Sequence, residues 1–201
     1  MSKIILIRHG HSFANKEGLN RFGTNISDSE LGLTPRGIKQ INNTSELLLQ
    51  FLQERNIKVS SINIYTSELQ RAIDSGEIIK DKLNINSGQQ NKVLNEFYSD
   101  SNDRELMIGF MRRISTAIKF SRETGFIPFD DENIGMILEE KYNMLKKYFN
   151  EIALEREFSI VISHGLALWS YITEHTTDKT LREPLKHGSA VLLEDKQVIR
   201  I

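Results

Sequence analysis

The chain opens on a short apolar run, Lys3-Ile4-Ile5-Leu6-Ile7, that stops at Arg8-His9-Gly10. The run predicts a strand that ends where a loop begins. In open α/β sheets, ligands bind beyond the carboxyl ends of the strands. A histidine at that point is held by the sheet and still reaches solvent. The arginine beside it stays charged and offers a planar fork of donors that fits a phosphate. The glycine removes a side chain that would keep a ligand from the backbone.

A later run has the same design. Phe158-Ser159-Ile160-Val161-Ile162 reads as a buried strand and ends in Ser163-His164-Gly165. If both strands lie centrally in one parallel sheet, their histidines emerge at the same edge. Ser61-Ile62-Asn63-Ile64-Tyr65 alternates as a strand and leads into Thr66-Ser67-Glu68-Leu69-Gln70-Arg71. Ser67 and Arg71 are four residues apart and are expected to share a helix face. Glu96 follows a third short strand, expected to end at Val93-Leu94.

Helices are expected between these strands. Thr34 is a capping residue with Pro35 at the first helical position. Ile38, Ile41, Leu48, Leu49 and Leu52 supply the buried side of that helix to about Arg55. Further helices are expected over about 68–82, 104–122, 133–152 and 166–176, with a hairpin from Ala190 to Ile201. Residues 8–33 keep no sustained period and read as a long functional loop. Strands alternating with helices imply an α/β fold, a mostly parallel sheet with helices on both faces. The 201 residues make one domain, 1–201. The segment 97–157 is expected to form a helical cap over the pocket.

Composition narrows the chemistry. Lys and Arg total 26 against 27 Asp and Glu, a net charge of −1. That balance argues against general binding to nucleic acid or to a membrane surface. An anionic ligand must therefore be met by a local cluster of positive groups. The chain has no cysteine, which excludes disulfides, thiolate metal sites and a cysteine nucleophile. No apolar run approaches membrane-spanning length and no leader-like start is legible, so a cytoplasmic location is expected.

Five blocks in order resemble the histidine phosphatase superfamily, also called phosphoglycerate mutase-like. They are Leu6-Ile7-Arg8-His9-Gly10-His11-Ser12-Phe13-Ala14-Asn15, Leu33-Thr34-Pro35-Arg36-Gly37, Tyr65-Thr66-Ser67-Glu68-Leu69-Gln70-Arg71-Ala72, Leu94-Asn95-Glu96 and Val161-Ile162-Ser163-His164-Gly165. The resemblance covers Ile4 to about Leu193. It implies that His9 is the nucleophile and that Arg8, Arg71 and His164 hold the phosphate oxygens. It implies that Glu96 is the proton donor and that Asn15 is a further substrate contact. Ser67 and Gly165 join the phosphate-binding set. The implied enzyme is a phosphomonoesterase that needs no metal or cofactor and takes a small phosphorylated metabolite or a phosphoprotein through a phosphohistidine. A capping role for Ser67 is the rival reading of that residue.

Three positions depart from the family pattern. Glu96 is followed by Phe97-Tyr98-Ser99-Asp100-Ser101 rather than a glycine-containing stretch, which leaves Asp100 and Glu105 as rival acids. Glu30 stands where an aspartate is usual, and Gly188 where a small polar residue is common. His187 is a modest candidate for the substrate pocket. Lys16, Arg21, Arg104 and Arg112-Arg113 are candidates for a second anionic group. Within the family the alternative is mutase-type phosphoryl transfer, disfavoured because Phe97-Tyr98-Ser99-Asp100 lacks the Arg-His-Tyr-Gly-like run of mutases. A metal-dependent amidohydrolase on His9-Gly10-His11 would need more ligands than five histidines supply. A non-catalytic phospho-ligand module would not require His9 and both arginines.

Overall fold

The computed structural model describes residues 3–17, 27–97, 103–126, 134–195 and 197–201. Six strands form one sheet: β1 (Lys3–Arg8), β2 (Ile62–Thr66), β3 (Gly88–Gln90), β4 (Phe158–Ser163), β5 (Ala190–Glu194) and β6 (Gln197–Arg200). Their order is β3-β2-β4-β1-β5-β6. The first four run parallel, and β5 and β6 add an antiparallel edge. The sheet is thus mostly parallel with helices on both faces, as the strand–helix alternation predicts.

Alternation along β1 assigns its side chains. Ile4 and Leu6 join the core on one face with Leu145, Phe149, Leu168 and Ile172. Ile5 and Ile7 join the other with Ile41, Leu48, Ala72 and Ile79. The first face is covered by α5 (Gly135–Glu155) and α6 (Gly165–Ile172). The second is covered by α2 (Pro35–Glu54) and α3 (Gln70–Leu83). A strand buried on both sides has to be apolar throughout, which is why residues 4–7 form a continuous run. A third cluster, of Phe97, Met107, Phe110, Ile114, Leu138 and Trp169, ties α4 (Arg104–Thr124) to the body.

Local chemistry sets the boundaries. Thr34 caps α2 by accepting the Gly37 amide at 3.2 Å, and Pro35 opens the helix. Asn84 ends α3 in the left-handed conformation that asparagine tolerates. Several expectations shift. The third strand is Gly88–Gln90, while residues 92–94 form a 3-10 turn that Asn91 caps. Ile38 is 44% exposed rather than buried, because it lies on the solvent side of α2. The helix after β2 starts at Gln70, so Ser67 precedes it and does not share a face with Arg71. The last helix stops at Ile172, and Thr173–His175 continues as a 3-10 turn. The long loop holds a short helix, α1 (Phe13–Glu17), and a 3-10 turn at Asp28–Glu30.

Candidate active site

Strand register brings the two histidines together. In the β1–β4 pair Arg8 lies opposite Ser163, so both strands stop at one level. His9 and His164 follow directly. The His9 amide donates to the Ser163 carbonyl at 3.0 Å, and the ring centroids are 4.9 Å apart. Both side chains are buried at the floor of a cavity of about 750 Å3. Arg8, Arg71, Glu96, Asn15 and Gly165 line the same cavity.

His9 is held in one tautomer. Its Nδ1 lies 2.7 Å from the Gly10 carbonyl oxygen. A carbonyl only accepts, so Nδ1 carries the proton and Nε2 keeps its lone pair. Burial, then the charges of Arg71 and Arg8, push the His9 pKa well below its ordinary value. The ring is neutral at neutral pH and nucleophilic at Nε2. His164 is also neutral, for the same leading reason of burial, followed by Arg71, His9, Lys141 and Arg8. Its Nε2 lies 2.7 Å from Ser67 Oγ. Ser67 Oγ also accepts the Leu69 amide at 3.2 Å. His164 Nδ1 is buried and has no hydrogen-bond partner among the described residues.

The arginines are fixed from behind. Arg8 donates from Nη1 to the Leu185 carbonyl at 2.6 Å and from Nη2 to His187 Nε2 at 2.9 Å. Its Nε is buried without a partner among the described residues. Arg71 is buried and donates to the Asp28 carbonyl at 2.9 Å and to Asp28 Oδ2 at 3.0 Å. Glu96 receives the Leu166 amide at 3.2 Å and the Ala167 amide at 3.0 Å. Its carboxylate therefore sits at the N-terminus of α6, where the orphan amides of a helix point.

Glycines permit the close approaches. A Cβ on Gly10 would lie 2.5 Å from the Gly37 carbonyl oxygen, and one on Gly37 would lie 2.0 Å from the His11 carbonyl oxygen. The first and second sequence blocks are therefore one interlocked backbone contact. Gly188 has φ +75°, and its amide closes on the Arg8 and His9 carbonyls at 3.0 and 3.2 Å. The left-handed turn explains glycine at that position.

Three contributors escaped sequence reasoning or were undervalued by it. Asp28, rather than Glu30, faces the site; Glu30 is exposed. Nothing local distinguishes an aspartate in an aperiodic loop. His187 props Arg8, and burial followed by the Arg8 charge pushes its pKa down to about 3. Lys141 on α5 donates to the Val93 carbonyl at 2.8 Å and to the Asn95 carbonyl, bracketing the loop that carries Glu96. Burial lowers its pKa to about 8, with Glu96 opposing.

Of the rival acids, Glu105 is exposed on α4, and Asp100 lies outside the described residues. Arg21 and the Arg104 side chain also lie outside them. Lys16, Arg112 and Arg113 are exposed, and none of them lines the cavity. Asn15 lines it from α1, its Oδ1 accepting from the Ser12 amide and hydroxyl. Among the described residues no cluster of acidic and histidine side chains is arranged to hold a metal ion. Among them, too, no helix is long and apolar enough to cross a membrane.

Residues 4–192 match the sequence model of the Histidine phosphatase superfamily (branch 1). Solved structures share the fold. A candidate alpha-ribazole-5'-P phosphatase of Escherichia coli K-12 has a TM-score of 0.60 at 22% identity, covering 100% of this chain and 94% of that one. A phosphoserine phosphatase of Entamoeba histolytica, solved as a histidine-to-alanine variant with phosphoserine, has 0.57 at 20% identity, covering 100% and 95%. A mycobacterial glucosyl-3-phosphoglycerate phosphatase solved with VO3 has 0.60 at 13% identity, covering 96% and 93%. At these identities the likeness speaks to fold alone. No curated protein matches the chain.

Proposed function

The chain belongs to the histidine phosphatase superfamily, branch 1, and on that premise we propose that it hydrolyses phosphate monoesters through a phosphohistidine on His9. The observation that carries this reading is the Gly10 carbonyl at 2.7 Å from His9 Nδ1, which leaves Nε2 unprotonated among buried cations. A monoester near neutral pH carries almost two negative charges, which repel a nucleophile. Arg8 and Arg71 offset that charge and meet the oxygens as charge shifts in the transition state. Arg8 Nε, buried without a partner among the described residues, is a donor that an oxyanion would satisfy, and this reading puts the His164 proton on Nδ1, likewise unpartnered among them, as a second donor.

His9 Nε2 forms a bond to phosphorus while the bond from phosphorus to the ester oxygen breaks. Glu96 gives its proton to that oxygen, and the alcohol departs. The Glu96 carboxylate then takes a proton from water, whose oxygen attacks phosphorus. The P–N bond breaks, releasing phosphate and neutral His9. Ser67 aligns His164, and Gly165 leaves room for the Arg8 guanidinium.

Brief incubation with a 32P-labelled monoester should give acid-labile, base-stable label that His9→Gln lacks. Acid-stable label, or label that survives in His9→Gln, would refute the assignment. Glu96→Gln should slow alkyl phosphates far more than nitrophenyl phosphate, whose leaving group needs no proton. Equal losses would point to another acid.

A further inference from the structure

The cavity is much larger than a phosphate requires. Its volume of about 750 Å3 lies in the range that encloses a drug-sized ligand. One stripe of α4 walls the added space. Met107, Phe110, Met111, Ile114 and Ile118 all line it, and spacings of three and four residues put them on one helix face. Met107, Phe110 and Ile114 are at most 5% exposed, so the deep wall is apolar. Its polar members stand at the rim. Ser115 and Lys119 are exposed, and Arg122 pairs with Glu183 at 2.8 Å in the open.

A sugar or glycerate would bring hydroxyl or carboxylate groups against this wall, where they would lose water without gaining partners. Each such group weakens binding by about tenfold or more. An apolar chain or ring gains there by leaving water. Resting on the phosphatase reading above, we propose that the substrate is the phosphate monoester of a bulky apolar alcohol, selected by the apolar stripe of α4.

The test is a series of n-alkyl phosphates from butyl to octyl, whose leaving groups share nearly one pKa. The purified protein should show kcat/KM rising about two- to fourfold per methylene, with glycerol 3-phosphate well below octyl phosphate. Met111→Ser and Ile118→Ser should flatten that slope, lowering kcat/KM for octyl phosphate more than for butyl phosphate. A flat series, or glycerol 3-phosphate hydrolysed as well as octyl phosphate, would overturn the proposal. A slope untouched by both variants would overturn the assignment to α4. Absence of turnover on every monoester, nitrophenyl phosphate included, would instead fell the phosphatase reading, and this proposal with it.

Discussion

Gly165→Ala isolates the geometry of the anion site from its chemistry. Gly165 follows His164 and opens α6. A Cβ there would lie 2.8 Å from Arg8 Cζ and 2.9 Å from its Nη1. Carbon atoms rest at about 3.5–4.0 Å, so the guanidinium must retreat by roughly 0.7–1.2 Å. Its bonds to Leu185 at 2.6 Å and His187 at 2.9 Å then stretch or break. A misplacement of about 1 Å can cost on the order of a hundredfold in rate, about 2.7 kcal/mol of barrier. The net loss of stability should be about 1–1.5 kcal/mol. Two weakened hydrogen bonds cost about 1 kcal/mol each, and replacing a helical glycine returns about 0.5–1 kcal/mol. The assay pairs nitrophenyl phosphate kinetics with urea unfolding. The expected result is a loss of about a hundredfold in kcat/KM with a modestly lowered urea midpoint and a fully folded protein under assay conditions. Gly109→Ala is the control: a Cβ there meets none of the described residues within 4 Å, so stability should rise slightly and activity should hold. Wild-type kcat/KM in Gly165→Ala would refute the claim that a fixed Arg8 guanidinium is required.

Asp28→Asn removes one side of a buried ion pair, both partners being at most 6% exposed. The free protein should lose up to about 3 kcal/mol, and added phosphate or tungstate should raise its unfolding midpoint more than it raises that of wild type. Equal shifts would mean that Asp28 does not balance Arg71. Lys141→Met should loosen the Glu96 loop, lowering kcat on alkyl phosphates about tenfold while nitrophenyl phosphate is nearly spared. Lys141→Arg should restore part of the loss, and a uniform loss on both substrates would mark Lys141 as merely structural. Protonation also bears on stability. The folded-state pKa values of His9, His164 and His187 lie below the ordinary histidine value, so below about pH 6.5 the unfolded chain binds the protons. Stability is fully present above that value and falls with pH by up to about 1.4 kcal/mol per unit for each histidine. Urea midpoints that stay constant between pH 7 and 5 would contradict this.

Much of the architecture was legible because it is written in local pattern. Residues 4–7 and 160–162 are continuous apolar runs, the pattern of a strand covered on both faces. Thr34-Pro35 marks a helix start by capping chemistry alone. His9 and His164 were legible as a pair because each follows a strand, and parallel strands of one sheet end together. Tertiary structure decided what depends on approach between distant segments. That Asp28 and not Glu30 meets Arg71, and that Leu185 and His187 hold Arg8, are contacts across separations that no periodicity encodes. Burial is equally collective. It makes both imidazoles neutral and lowers the Lys141 pKa, and it arises from the surrounding elements rather than from neighbours in sequence. The ends of strands are set by residues near one another in the chain, whereas the electrostatics of the cavity are set by residues that only the packed fold brings together.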